Sequence, residues 1–304
     1  MHNTSWHHSS IVDASKSSAD LTLNGGGTTM IPRHRISPHK RTVIVPRMLL
    51  LLILVGIPTH TTGQEGNETD LWISLFNGRD LSDWIVKFKG SDLGNNYLDT
   101  FRSDNGTLKV SYDGWSDFKG EFGHLFYDGK FSHYLLRVEY RFIGDQAPNG
   151  PAWAYRNNGI MLHSQSPASM TRDQEFPVSI EVQLLGGNGR ERRPTANVCS
   201  PGTHFVMDDK LVTRHCTNST SETFHGDQWV NLEVEVRGNR LIKHKVNGVE
   251  VFAYTRPQLD ENDGDARRLI EQGQSVPLKE GFIAIQAESH PTEFRKIEIL
   301  PLSE

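Results

Sequence analysis

One alternating stretch near the middle of the chain places a carboxylate and an amide on the same side of a predicted strand. Between Pro177 and Gly187, apolar residues occupy every second position, and Glu181 and Gln183 lie between them. Neighbouring side chains of a strand point to opposite faces of its sheet. If the polar face lines a binding site, Glu181 can act as a general base and Gln183 as a hydrogen-bonding group. A solvated outer face is the alternative.

The composition is that of a globular protein with many turns. The chain has 304 residues, of which 36% are hydrophobic and 23% are charged, with 27 Gly and 14 Pro. The formal net charge is −5, and no basic cluster occurs in the part that follows the N-terminal leader. An acidic body without such a cluster argues against nucleic acid as a partner.

The N-terminal part of the sequence is typical of an export signal rather than of a folded domain. Residues 1–47 read as a disordered or wrongly assigned basic leader, and residues 48–63 as the apolar region and cleavage site of a signal peptide. The apolar run is about ten residues long, whereas a bilayer span needs about twenty. We therefore expect no stable membrane span after cleavage and a periplasmic or extracellular location; an uncleaved anchor is the alternative. Residues 64–70 form a short linker to one domain over 71–304.

The two cysteines, Cys199 and Cys216, both lie in the predicted exported part. In an oxidising compartment a single pair is most simply a disulfide. A metal site is the rival interpretation, because His204 and His215 are close in sequence. Their spacing matches no zinc pattern, so the disulfide is preferred.

Strand patterns dominate the rest of the chain and predict an all-β domain. Residues 134–142 and 229–237 alternate between apolar and polar, and Asn247-Gly248 is a strong hairpin signal between two further strands. The only predicted helix covers Asp265–Gln272. Many antiparallel strands joined by Gly-rich turns indicate two antiparallel sheets packed as a sandwich or jelly roll.

Four motifs in order resemble the 3-keto-disaccharide hydrolase family, formerly known as DUF1080. They are Leu75-Phe-Asn-Gly-Arg-Asp-Leu-Ser-Asp-Trp84, Arg156-Asn-Asn-Gly-Ile-Met-Leu-His163, the strand around Glu181, and the segment from Glu280 to Leu302. The resemblance runs from about Leu71 to Leu302. It implies a concanavalin A-like jelly roll and an exported enzyme that cleaves 3-keto-glycosides.

The resemblance directs the choice between reaction types. The strand offers only one carboxylate, Glu181, because Gln183 and Leu185 follow at the matching positions. A retaining glycosidase needs two, so double displacement is disfavoured. A 3-keto group acidifies the neighbouring C2–H, and one base can then drive elimination of the C1 substituent. We expect Glu181 and His163 to face one pocket from neighbouring strands, so that Glu181→Gln and His163→Ala would each abolish turnover.

Further side chains are expected to bind the sugar or a metal ion. Those assigned to substrate are Gln183, Asn158, Arg156, Trp115, Trp153 and Gln286; His124, close to a Gly-rich loop, is a weaker candidate. A divalent metal is an alternative enolate stabiliser, with His163, Glu181, Glu288 and His290 as candidate ligands. Glu288 and His290 are expected to supply the remaining base or metal ligands, and they would share a face if their strand continued. The competing functions are a non-catalytic, lectin-like carbohydrate-binding module and a structural surface domain.

Overall fold

The computed structural model describes residues 71–304, which form seventeen strands and one α-helix. The elements are β1 (Ile73–Ser74), β2 (Trp84–Phe88), β3 (Phe101–Asp104), β4 (Thr107–Val110), β5 (Gly123–Phe131), β6 (His133–Phe142), β7 (Asn157–Ser164), β8 (Ile180–Leu185), β9 (Asn197–Cys199), β10 (Thr203–Met207), β11 (Lys210–Val212), β12 (Cys216–Thr217), β13 (Val230–Arg237), β14 (Leu241–Val246), β15 (Val249–Leu259), α1 (Gly264–Glu271), β16 (Gly281–Ala287) and β17 (Thr292–Pro301).

The strands form two antiparallel sheets. The ten-stranded sheet has the order β11-β10-β15-β14-β13-β6-β17-β4-β3, and β1 pairs with β17 off this path. The seven-stranded sheet has the order β12-β9-β8-β7-β16-β5-β2. Strands distant in sequence, such as β5, β16 and β7, therefore become neighbours. Because the strand order differs from the order in the sequence, side chains from separate sequence motifs can meet in one site.

The space between the sheets holds the main hydrophobic core. From β8, Ile180, Val182 and Leu184 are fully buried in it, as the alternation predicts. A second, smaller cluster of Phe126 and Met161 with other apolar side chains lies on the opposite face of the seven-stranded sheet. The polar positions of β8 share that opposite face, which we call the outer face.

The expected fold class is confirmed: the described residues are mostly β and form two antiparallel sheets. The one helix of this region, α1, begins at Gly264 and ends at Glu271, close to the predicted bounds. The Asp263 carboxylate caps it by accepting from the backbone N–H groups of Asp265 and Ala266. The leader (1–47), the signal region (48–63) and the linker (64–70) lie outside the described residues. Between residues 71 and 304 no helix is long and apolar enough to cross a membrane.

The predicted disulfide is confirmed. Cys199 and Cys216 face each other across β9 and β12 and are joined by an S–S bond. The bond attaches the edge strand β12 to the body of the sheet. His215, which was weighed as a metal ligand beside these cysteines, lies near the sulfurs, but both sulfurs are committed to the disulfide.

Candidate active site

The candidate site is built around a glycine on the outer face of the seven-stranded sheet. A Cβ added to Gly159 would lie 2.4 Å from Glu181 Oε1 and 2.8 Å from Gln286 Oε1. These two side chains therefore fill the space that a side chain at position 159 would take. Glu181 is on β8, Gly159 on β7 and Gln286 on β16, so three adjacent strands contribute. The missing side chain is what allows the carboxylate and the amide to approach each other.

The polar row continues across the next two strands. His124 on β5 lies opposite Gln286, and Lys87 on β2 lies opposite His124. Both side chains are buried. The Lys87 ammonium donates to three backbone carbonyl oxygens, those of Phe88, Ser91 and Arg172, at 2.8, 2.9 and 3.0 Å. Lys87 therefore has a structural role, whereas the imidazole of His124 belongs to the site.

The connection between β7 and β8, residues 165–179, crosses the outer face and is called the strap. Its Phe176 ring lies 5.9 Å from the His124 ring in an edge-on contact. Arg268 of α1 donates to Ser169 O at 2.8 Å and to Gln174 Oε1 at 3.1 Å, so the helix holds the strap. As a result Glu181 is only 5% exposed.

The burial of β8 shows where the outer face opens. The strand is buried from Ile180 to Val182, whereas Gln183 and Leu185 are partly exposed. Gln183 also accepts a hydrogen bond from Asn197 Nδ2 at 3.1 Å. The outer face of β8 is therefore closed at its Ile180 end, and its partly exposed end, at Gln183 and Leu185, is called the mouth.

Two buried carboxyl groups interact electrostatically in this region. Burial raises the pKa of Glu181 to about 8, because no hydrogen bond or ion pair within residues 71–304 compensates its charge. The pKa of Glu288 lies well above its usual range, first because of burial and then because of the negative charge of Glu181. Two such groups do not ionise together, so near neutral pH one carboxyl is a proton donor.

The sequence named Glu288 as a remaining base or metal ligand, but only Gln183 and Leu185 of β8 were considered as the second member of a carboxyl pair. Glu288 directly follows β16, two strands away from β8 in the sheet. Its neighbour Ser289 has a φ of 96°, and the Ser289 N–H donates to the hydroxyl oxygen of Tyr112 at 2.7 Å. Glu181 and Glu288 together therefore provide two carboxyl groups, which the strand of Glu181 alone does not. The available signal was the pair Gln286 and Glu288 at alternate positions.

Burial keeps the site's imidazoles neutral. It lowers the pKa of His124 to about 3, with a smaller contribution from the positive charge of Lys87. The pKa of His290 is also lowered to about 3, by burial and then by Arg156 and Arg193. A neutral imidazole donates one N–H and accepts at the other nitrogen. His124 can therefore stabilise a developing oxyanion without carrying a charge of its own.

Several buried polar atoms of this region have no hydrogen-bond partner among residues 71–304. They are both ring nitrogens of His124, both ring nitrogens of His290, both amide atoms of Gln286, Glu288 Oε2 and Asn157 Oδ1. Each such group costs about 1–3 kcal/mol. Native proteins carry few of them, and a concentration in one place marks a site that receives a polar ligand.

The expected pair of Glu181 and His163 is not formed. Alternation along β7 puts His163 on the face of Glu181, but His163 has a φ of 47°, and the register of the neighbouring strand β16 shifts at the same level. This bulge turns the side chain away. His163 Nε2 instead donates to Gly238 O, 3.0 Å away in the turn between β13 and β14. His163 links the two sheets.

We therefore expect His163→Ala to cost stability rather than turnover. The variant loses an intersheet hydrogen bond and leaves a small cavity, which together should lower the free energy of unfolding by about 2 kcal/mol. Turnover should stay within about threefold of the wild-type value, since the side chain does not reach the outer face. Urea unfolding and a turnover assay on the same preparation test this. A folded variant without activity would show that His163 is needed for the reaction.

Two residues assigned to substrate are structural. Trp115 is 5% exposed, packs among Phe118 and other core rings, and donates from Nε1 to Thr100 Oγ1 at 2.9 Å. Asn158 is fully buried, and its amide donates to Gln286 O at 2.8 Å. Because odd-numbered positions of β7 face the site, Asn158 points to the core and positions the backbone of β16.

Two other assigned residues are at least partly exposed. Trp153 is 39% exposed and stacks on Phe122, whose ring contacts Phe176 of the strap. Arg156 directly precedes β7 and is partly exposed. Both remain proposed substrate contacts.

The four candidate metal ligands do not form a preassembled cluster. Among residues 71–304, the only three His, Cys, Asp or Glu ligand atoms within 4.8 Å of one another are those of Cys199, His215 and Cys216. His163 is committed to Gly238, and β16 ends at Ala287, so strand alternation does not align Glu288 with His290. The residues present do not fit a ready-made metal site, and no step is derived through a metal.

Solved structures with a similar fold share little sequence identity with this chain. A "putative glycosyl hydrolase" from Parabacteroides distasonis is 15% identical, with a TM-score of 0.44, and the match covers 78% of this chain and 96% of that one. A Bacillus subtilis protein of unknown function with a galectin-like fold is 10% identical, with a TM-score of 0.45, and coverages of 73% and 90%. The Ca²⁺-bound lumenal domain of VIP36 is 9% identical, with a TM-score of 0.44, and coverages of 78% and 92%.

None of these likenesses reaches a TM-score of 0.5, so none carries an argument about function. The curated proteins contain no match to the sequence. The family model described as "3-keto-alpha-glucoside-1,2-lyase-like domain" matches residues 71–300. This match covers most of the chain, and the protein therefore belongs to the 3-keto-alpha-glucoside-1,2-lyase-like family.

Proposed function

We propose that this protein cleaves 3-keto-glycosides by elimination across C1 and C2, followed by addition of water. The observation that carries the proposal is the buried carboxyl pair of Glu181 and Glu288 beside unpartnered neutral donors. Family membership supports the reaction class. A lectin-like module would need a flat aromatic strip and no clustered ionisable groups, and the buried carboxyl pair is what favours an enzyme over that alternative.

In the first step Glu181 acts as the general base. The C3 ketone acidifies the C2–H, and the Glu181 carboxylate, the carboxyl with less electrostatic penalty, takes that proton. The electron pair moves to the C3 oxygen as an enolate. Gln286 Nε2 and the N–H of neutral His124, which have no hydrogen-bond partner among residues 71–304, donate to this oxygen.

In the second step the enolate collapses and the C1–O bond breaks. A C1=C2 double bond forms beside the restored ketone, and the protonated Glu288 gives its proton to the departing oxygen. Water then adds at C1, and a proton returns to C2. The products are the free alcohol and the 3-keto sugar, so the overall change is a hydrolysis that needs no oxidant or reductant.

Turnover in D₂O distinguishes this route from direct displacement. Purified protein is incubated with 3-keto-trehalose or a 3-keto-glucoside, with and without a chelator, and the product is followed by NMR from the earliest time. Elimination and rehydration place deuterium at C2, whereas displacement at C1 leaves the original hydrogen there. A no-enzyme incubation of the 3-keto product corrects for spontaneous exchange. Cleavage without C2 labelling would refute the elimination route, and no cleavage would refute the enzyme.

A further inference from the structure

We propose that Arg156 and Arg193 form a subsite for an anionic group on the leaving-group side of the substrate. The inference rests on the proposed function for the position of the reacting sugar. It concerns a different property, namely which leaving groups the site prefers. The two arginines, called the arginine pair, come from separate loops that meet at the mouth of the site.

Gly186 brings the arginine pair together. The side chain of Arg193 donates to Gly186 O at 2.7 Å, and Gly186 N donates to Arg156 O at 2.8 Å. A Cβ added to Gly186 would lie 3.0 Å from Arg156 Cβ and 3.1 Å from its Cδ. Gly186, which directly follows β8, therefore holds Arg156 and Arg193 beside the partly exposed end of that strand.

The arginine pair carries positive charge that the surrounding residues leave unpaired. A guanidinium has five N–H donors, yet Arg193 gives a hydrogen bond only to Gly186 O and Arg156 only to Gly226 O among residues 71–304. Arg156 Nε is buried without a partner, and neither side chain forms a salt bridge within that region. The carboxylate that acts on Arg193 is that of Glu191, which is exposed and accepts from Asn188.

The electrostatics of neighbouring groups show the same excess of positive charge. The pKa of Arg193 is lowered by burial, although Glu191 and Tyr155 oppose this, and the charge of Arg156 lowers it further. Both arginines also disfavour a charge on His290, whose ring lies 5.1 Å from that of Tyr155. His290 is fully buried with both ring nitrogens unpartnered. An anion bound here would relieve the repulsion and supply acceptors.

The position of the arginine pair assigns it to the leaving group. In the proposed reaction the C2–H of the reacting ring lies beside Glu181, on the outer face of β8. The rest of the glycoside extends from there towards Gln183 and Leu185, the partly exposed residues of this strand, and so towards the arginine pair. Guanidinium groups bind carboxylate and sulfate through paired hydrogen bonds. The expected substrates are therefore 3-keto-glycosides whose leaving group bears a carboxylate or a sulfate.

Binding of ordinary, unoxidised glucosides tests this without requiring turnover. Dissociation constants are measured by calorimetry for matched 4-carboxyphenyl, 4-sulfatophenyl and 4-methylphenyl glucosides at about 20 mM salt. We expect at least one anionic ligand to bind wild-type protein about tenfold more tightly than the neutral one. Arg193→Gln and Arg156→Gln should each reduce this preference to about twofold or less. Salt at about 500 mM should weaken it as well.

Arg190→Gln is the matched control, since it removes the same charge from an exposed position of the same loop. It should keep the preference of the wild-type protein. The proposal is overturned if wild-type protein binds charged and neutral glucosides equally, if the preference survives in both test variants, or if Arg190→Gln loses it to the same extent. Because no bond is cleaved in this assay, its result stands even if the elimination reaction is not observed.

Discussion

Replacing Glu181 by Gln is expected to lower turnover of a 3-keto-glucoside by about 10³-fold, because the site loses the base that takes the C2 proton. The amide has nearly the shape of the carboxyl, so the packing beside Gly159 should persist. Initial rates on purified variant and wild-type protein test this. In the wild type, kcat/KM should rise with pH through the titration of the carboxyl pair, because the base must be ionised. A variant with near-normal turnover would remove Glu181 from the mechanism.

The same substitution should stabilise the folded protein at alkaline pH. The pKa of Glu181 is raised from 4.5 to about 8 on folding, so the folded state holds a proton that the unfolded state releases. The contribution of Glu181 to the free energy of unfolding is then fully present below about pH 4.5, and it is lost as the pH rises through about 8. The amide side chain of the Glu181→Gln variant does not titrate. Above that range the variant should be more stable by about 5 kcal/mol.

Urea unfolding at several pH values measures this difference, and Glu222→Gln is its control because that carboxyl is exposed. The control should follow the wild-type curve. If Glu181→Gln also followed the wild-type curve from acid to alkaline pH, folding would not raise the pKa of Glu181.

Gly159→Ala is expected to lower turnover by at least about 10²-fold while the protein remains folded. The new methyl group would overlap Glu181 Oε1 and Gln286 Oε1, so both side chains must move away from their present positions. Displacement of catalytic groups by about 1 Å costs on the order of 10²-fold in rate. Turnover and circular dichroism of the variant test the two halves of this prediction.

Gly129→Ala provides the matched control for Gly159→Ala. Gly129 also lies within a strand of the seven-stranded sheet, but its added Cβ would meet the Tyr127 ring at an ordinary 3.4 Å. It should keep wild-type turnover. Equal activity of the two variants would show that the space over Gly159 is not needed for the reaction.

Local alternation predicted the long strands because each of them has one face in the core. The pattern of residues 134–142 corresponds to β6, and that of residues 229–237 corresponds to β13. By contrast β2 was missed, because four of its five residues are buried and no alternation remains. The short strands β9 to β12 were missed as well, since two to five residues are too few to show a period.

The candidate site was only partly predictable, because local alternation shows which face a side chain takes but not which strands become neighbours. Alternation correctly placed Glu181 and Gln183 opposite the core, and the approach of Glu181 to Gln286 requires Gln286 to share that face. It failed at His163, where a bulge interrupts the period, and at Trp115, where a loop folds back into the core. His124 entered the site because β5 pairs with β16, a contact between segments more than 150 residues apart.

The amino-acid sequence alone determined the all-β class, the inward and outward faces of β8, the pairing of Cys199 with Cys216 and the family resemblance. The first two and the last are properties of short segments. The disulfide follows because the chain has only two cysteines, so only one pairing is possible. Only the tertiary structure decided that Glu288, rather than a second residue of β8, joins Glu181, and that Arg156 meets Arg193 at the mouth. Strand order and bulges result from packing of the whole sandwich, and no local period records them.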